Sequence, residues 1–156
     1  MQTFLPSPDF AASAAVLDRR RLGKQRVEAL QVLRALIRPG YGWQHHPAVA
    51  MWRGHPEAMA AYGLAMCAQW RARGGADTVA TTIVADLAAA GLEPPRTQAE
   101  LAAAGLLPDW LGDERVHRSH RAALVAKDPA HYGPLFPDEP VRTGTAYHWP
   151  RSGRAG

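Results

Sequence analysis

The stretch "LDRRRLGKQRVEALQVL", Leu17 to Leu33, reads as one amphipathic helix. When successive residues are turned by about 100°, Leu22, Ala29, Leu30, Leu33, Leu36 and Ile37 fall on one stripe. The opposite stripe carries Arg21, Lys24, Gln25, Glu28 and Gln31, a single carboxylate among cations and amides. Lys24 and Glu28 make an i to i+4 pair in the less favourable orientation, as an ordinary solvated face would. A lone Glu set between Arg21 and Lys24 is also suited to steadying a cationic intermediate or moving a proton. On these residues alone both readings stand.

Working outward, "LPSPDF" offers Ser7 or Asp9 as a helix cap, so helical structure is expected to start near Pro8. Beyond the long helix, "RPGYGWQHHP" breaks the periodicity and leaves a loop rich in rings: Tyr41, Trp43, His45 and His46. "AVAMWRG" is a short helical turn ended by Gly54. A helix from Pro56 to about Arg73 stops at Gly74 and Gly75, and another runs from an Asp77 cap to Gly91. Trp52 and Trp70 read as core. Thr97 followed by Glu100 is a capping-box pattern for a short helix that Gly105 closes. "RVHRSHRAALVAK" supplies a last helix from about Glu114 to Ala126. The remainder is too rich in Pro and Gly for regular structure and is expected to wrap the surface, with "YHWP" packing as structure. The expected fold class is all-α: a single compact helical domain over residues 1–150 with an irregular aromatic C-terminal segment and a frayed tail over 151–156.

The 156 residues suffice to bury a core without disulfides or metal. The sole cysteine, Cys67, lies in an apolar helical run and reads as a buried, inert thiol. No leader pattern opens the chain and no apolar run approaches a membrane span, so a soluble cytoplasmic protein is expected, and it is taken to be a monomer. Net charge is +4. The cations cluster in Arg19 to Arg26, in Arg115 to Lys127 and in the C-terminal tail, whereas Asp77 to Glu114 is net acidic. That asymmetry points to one basic surface facing a phosphate-rich partner.

No P-loop, dinucleotide fingerprint, nucleophile elbow, paired cysteines or HExxH motif occurs. His117 and His120 stand three apart on a helix, a spacing that can hold a metal, with His45 or His46 as a further ligand. Against this, no acidic residue completes a motif, and Arg118 and Arg121 would repel a cation.

"RLGKQRVEALQVL", followed far downstream by "SHRAALVAKDPAHYGPLF", resembles the pyrimidine dimer DNA glycosylase family. Glu28 matches that family's essential Glu, Arg21 the polar residue seven before it, Lys127 its late lysine, and "PAHYG" its aromatic stretch. The resemblance covers both ends of the chain but not its middle. It implies an all-α glycosylase with lyase activity, acting on damaged double-stranded DNA without a cofactor. An α-amine would attack the sugar carbon to form an imine, with Glu28 assisting. An α-amine titrates near 7.7 to 8.0, far below an unperturbed Lys at about 10.4, and is therefore partly neutral at physiological pH.

The nucleophile implied is the amine of Met1, or of Gln2 if Met1 is removed, with Lys24, one turn from Glu28, as the alternative. Val27 directly precedes Glu28, and Arg26 projects toward the more apolar side. The residues expected to meet DNA are Arg21, Gln25 and Arg26 on the first long helix, His46 in the aromatic loop, Arg118, Arg121 and Lys127 on the late helix, and Tyr132 beyond it. Base extrusion needs wedge or stacking groups, for which Tyr41, Trp43, His46 and Tyr132 are candidates, although core packing is the favoured reading of Tyr41 or Trp43 taken alone. A non-catalytic nucleic-acid-binding domain and a His-ligated metal-dependent hydrolase are the alternative readings.

Overall fold

The computed structural model describes residues 1–142 and 146–150, so the expected tail at 151–156 lies outside the described residues. Among the described residues there are eight helices and no strand. They are α1 (Phe10–Val16), α2 (Arg19–Ile37), α3 (Pro47–Ala50), α4 (Pro56–Ala72), α5 (Val79–Ala89), α6 (Gln98–Ala103), α7 (Glu114–Lys127) and α8 (Pro129–Tyr132). None is long and apolar enough to cross a membrane.

Local chemistry accounts for most of the boundaries. Asp9 caps α1 by accepting from Ala12 N–H, so the helix begins after Pro8 rather than at it. Asp18 caps α2 and accepts from Arg21 N–H at 3.2 Å. Asp77 accepts from the Val79 and Ala80 amides and starts α5 from one residue ahead of its formal cap. Thr97 and Glu100 close the expected capping box of α6. The segment after Lys127 holds one helical turn, α8, that composition concealed: Asp128 accepts from His131 N–H and Pro129 occupies its first turn.

α2 lays its apolar stripe against α4, with α1 and α5 packed alongside. The closest approach is at Gly63 of α4, where a Cβ would stand 2.8 Å from Ile83 Cδ1 and 3.2 Å from Ala29 Cβ. Trp52 is fully buried, as expected of core, whereas Trp70 is only half-buried, held between the guanidinium groups of Arg19 and Arg26 at 4.6 and 4.4 Å. Burial and the charge of Asp77 push the Cys67 thiol up to about 12, consistent with an inert side chain.

Residues 2 to 6 form an extended strap buried among α2, α4 and α7. Side chains satisfy its backbone. Phe4 N–H donates to Gln25 Oε1 at 2.6 Å, and Gln25 Nε2 donates to the Gln2 carbonyl at 2.8 Å. The Tyr62 hydroxyl donates to the Phe4 carbonyl at 2.8 Å, and Trp52 Nε1 to Thr3 Oγ1 at 2.9 Å. Leu5 is clamped on both sides: its N–H donates to His120 Nδ1 and its carbonyl accepts from His117 Nδ1, each at 2.8 Å.

These two bonds spend the nitrogens a metal would need. His117 Nε2 also accepts from Gly112 N–H at 2.9 Å, and His120, which accepts on Nδ1, carries its proton on the buried Nε2, so neither ring keeps a free lone pair. The metal-centre alternative is thereby corrected: the histidines serve the strap, and no group of three ligand side chains is assembled among the described residues.

Burial pushes His120 down to about 3, and the charge of His117 adds to the effect. An unfolded chain accepts a proton there from about pH 6.5 downward, while the folded chain refuses it until about 3. Acidification in that window therefore destabilises the fold. Between pH 7 and pH 5 this group alone removes up to about 2 kcal/mol. Urea denaturation at the two pH values measures the loss, and His120→Gln is expected to flatten that slope.

Candidate active site

The polar face of α2 is not a solvated face. Glu28 is 9% exposed, and its Oε2 accepts from Gln25 Nε2 at 3.1 Å and lies 3.4 Å from the backbone nitrogen of Gln2. On its other oxygen, Oε1, it meets Lys24 Nζ at 3.5 Å, while the Lys24 side chain itself stays 74% exposed. The carboxylate thus sits at the bottom of the polar face, turned toward the first residues of the chain.

Above it opens a cleft of about 360 Å³, lined by Met1, Gln2, Phe4, Arg20, Arg21, Lys24, Gln25, Glu28, Lys127 and Tyr147. Four basic side chains surround one buried carboxylate, and Met1 and Gln2 complete that part of the lining. Such a cleft draws in a polyanion and keeps one negative group where positive charge develops. Arg21 is fixed there by Asp18, whose Oδ1 accepts from Arg21 Nη1 at 3.1 Å. Asp18 is in turn fixed by Tyr132, whose hydroxyl donates to its carboxylate and accepts from its backbone N–H at 3.0 Å. Burial raises the Asp18 carboxyl, but the bonds from Tyr132 and Arg21 outweigh it and leave it below its ordinary value. Burial and the Asp18 bond push the Tyr132 hydroxyl up. His46 is lowered by burial first and then by the charge of the N-terminal amine, with Glu28 acting in the opposite direction. The aromatic loop therefore lies within electrostatic reach of the cleft.

The structure brings Met1, Glu28, Lys24, Arg21 and Lys127 together. Four other expectations need correction. Gln25 is 1% exposed, and its amide is consumed by Gln2, Phe4 and Glu28, so it supports the site rather than meeting DNA. Tyr132 is fully buried, an anchor for Asp18 rather than a wedge. Arg26 pairs with the buried Asp77 and stacks on Trp70, the apolar-side placement expected from its position beside Val27. Arg121 is turned inward to the Pro6 carbonyl, Glu114 and Glu139. Arg118 remains exposed, 3.8 Å from Glu139. His46 is half-buried, capping α3 through Nδ1, with its ring edge-on to Trp43 and to Trp149.

The sequence reading missed Arg20, Phe4 and Tyr147 as cleft residues. Arg20 lay in the quoted basic run. Tyr147 was hidden in "YHWP", whose half-buried rings do pack on Phe4 and His120 yet also wall the cleft.

The Gln25 amide can be tested as a support of the site. Gln25→Glu keeps an acceptor for Phe4 N–H but strips the donor from the Gln2 carbonyl and faces Glu28 with a second carboxylate. The expected cost is about 1–3 kcal/mol at pH 7. Part of it returns at pH 5, where two adjacent carboxylates can share a proton. Denaturation midpoints at both pH values are the check.

Comparison with known proteins agrees with this geometry. The sequence profile of a family described as pyrimidine dimer DNA glycosylase matches residues 1–82 of the 156. No curated protein and no solved structure matches the chain. The matched part carries the strap, Arg20, Arg21, Lys24, Gln25 and Glu28, and by that match the chain belongs to the pyrimidine dimer DNA glycosylase family.

Proposed function

We propose that this chain removes a damaged pyrimidine from double-stranded DNA and then cuts the strand, using an α-amine at its own start as nucleophile. The observation that carries this reading is the approach of the Gln2 backbone nitrogen to Glu28, at 3.4 Å, inside a cationic cleft that Met1 also lines. In the proposed reaction the amine nitrogen bonds to C1′ of the damaged nucleotide as the glycosidic bond breaks and the base leaves with its electron pair. The sugar opens as the C1′–O4′ bond breaks and O4′ takes a proton, giving an imine. Loss of a C2′ proton then expels the 3′ phosphate. Glu28 steadies the positive charge at C1′ and serves the proton transfers, which in other enzymes contribute about 10²- to 10⁴-fold.

The amine belongs to Met1, or to Gln2 where Met1 is removed, in which case it stands where the Gln2 nitrogen now lies 3.4 Å from Glu28. Lys24 is the alternative nucleophile, but its exposed ammonium group at the cleft mouth suits a phosphate better. Arg20, Arg21, Lys24, Lys127 and the outlying Arg118 are proposed to hold the DNA backbone. The proposed working unit is a monomer, with residues 1–150 as one DNA-processing domain in the cytoplasm.

Borohydride trapping is the direct test. Protein mixed with UV-irradiated or abasic duplex DNA and borohydride is expected to give a covalent adduct on the N-terminal peptide, read by mass spectrometry. Glu28→Gln should lower strand cutting by about 10²- to 10⁴-fold while duplex binding persists. Lys24→Gln should still trap. An adduct at Lys24 would move the nucleophile to that side chain, and failure to trap either DNA would overturn the imine mechanism.

A further inference from the structure

The loop between α2 and α3 presents an indole in an unusual way. Trp43 is 61% exposed, the only aromatic among the large exposed apolar side chains of the described residues. It is also their only non-glycine with positive φ, at 69°. A bulky side chain in the left-handed region is strained, and such strain persists where the surroundings enforce it, commonly at functional positions.

The surroundings here do enforce it. The Trp43 carbonyl accepts from His46 N–H at 2.9 Å, Gln44 Nε2 donates to the Arg38 carbonyl at 3.1 Å, and Arg53 Nη2 donates to the Gln44 carbonyl at 2.8 Å. The ring is braced at its edge rather than covered. It meets the His46 ring in a T-shaped contact at 6.0 Å; His46 meets Trp149 at 6.3 Å; Trp149 meets Tyr147 at 5.4 Å, and Tyr147 walls the cleft. A continuous file of rings thus leads from the cleft to one projecting indole. Its span is at most about five base-pair steps of B-DNA.

An exposed apolar ring on a rigid loop gains nothing in water, but every nucleobase offers it a face. We propose that Trp43 is a base-stacking wedge: it enters the helical stack near the nucleotide held in the cleft and keeps the duplex open while that nucleotide is engaged. The proposal rests on the damaged-DNA reading above. Other exposed groups carry less, because Tyr41 is half-buried and His45 has no such file of rings behind it.

The test uses the full chain and a duplex oligonucleotide with one thymine dimer and 2-aminopurine opposite it, whose fluorescence rises on unstacking. Trp43→Asn suits the left-handed backbone and removes the ring, whereas Trp43→Phe keeps a stacking face. Trp43→Asn is expected to keep or raise Tm and to bind undamaged duplex as before. It should lose the 2-aminopurine rise and cut the dimer duplex roughly 10- to 100-fold more slowly, with Trp43→Phe recovering most of both. A merely structural tryptophan would instead lower Tm and leave the fluorescence rise intact in the folded fraction. If the parent raises the signal but does not cut, and Trp43→Asn does not raise it, the wedge stands and the glycosylase mechanism falls. If Trp43→Asn matches the parent in both readouts, or the parent gives no rise on binding, the wedge is overturned.

Discussion

Everything in the site depends on how a strand-like segment survives inside an all-helical protein. Residues 2 to 6 are buried, and among the described residues their amides and carbonyls find no backbone partner. Buried backbone groups left unpaired would cost about 1–3 kcal/mol each. Gln25, Tyr62, His117, His120 and Arg121 substitute for a neighbouring strand; Gln25 serves two positions of the strap and each of the others one. The same bonds that make the segment affordable in the core fix where the first nitrogens of the chain stand relative to Glu28. Packing and chemistry are here one requirement.

The cleft follows from that requirement together with the cap of α2. Asp18 is both the cap and the partner of Arg21, and Tyr132, reaching across from α8, locks it from the far end of the sequence. The acidic middle of the chain has a comparable structural use: Asp77 and Asp86 receive Arg26, Arg34 and Arg38, which removes those cations from the free surface. Arg20, Arg21, Lys24 and Lys127, by contrast, line the cleft beside Glu28.

The helices were legible in the sequence because their signals are local. The stripe of α2, the capping box at Thr97 and the glycine stop of α4 each lie within a few residues of what they control. Glu28 and Arg21 stood out on the polar stripe of α2 and Lys127 through the family resemblance, and the fold brings all three to one cleft. Gln25 and Tyr132 were misassigned for a physical reason. An amide on a polar face and an aromatic after a lysine look like contact residues until a distant partner claims them, and strap and Asp18 lie 21 to 114 residues away. The roles of His117 and His120 were illegible in the same way, since the groups they bind belong to a segment without helical or strand periodicity. Tyr147 is a cleft residue only because the C-terminal segment returns to Phe4.

The span of those bonds also bears on the order in which the protein matures. Leu5 and Pro6 are held by side chains 112 to 115 positions further along the chain. During synthesis the first residues leave the ribosome long before α7 exists, and contacts of such long range form late. The Leu5–Pro6 end of the strap must wait, unpaired, until the last long helix docks. A chain interrupted before α7 would retain Glu28 and the bonds of Gln25 and Tyr62 to Gln2 and Phe4, yet leave Leu5 and Pro6 unclamped and the cleft without Lys127, so the cleft takes its full shape only at the close of folding.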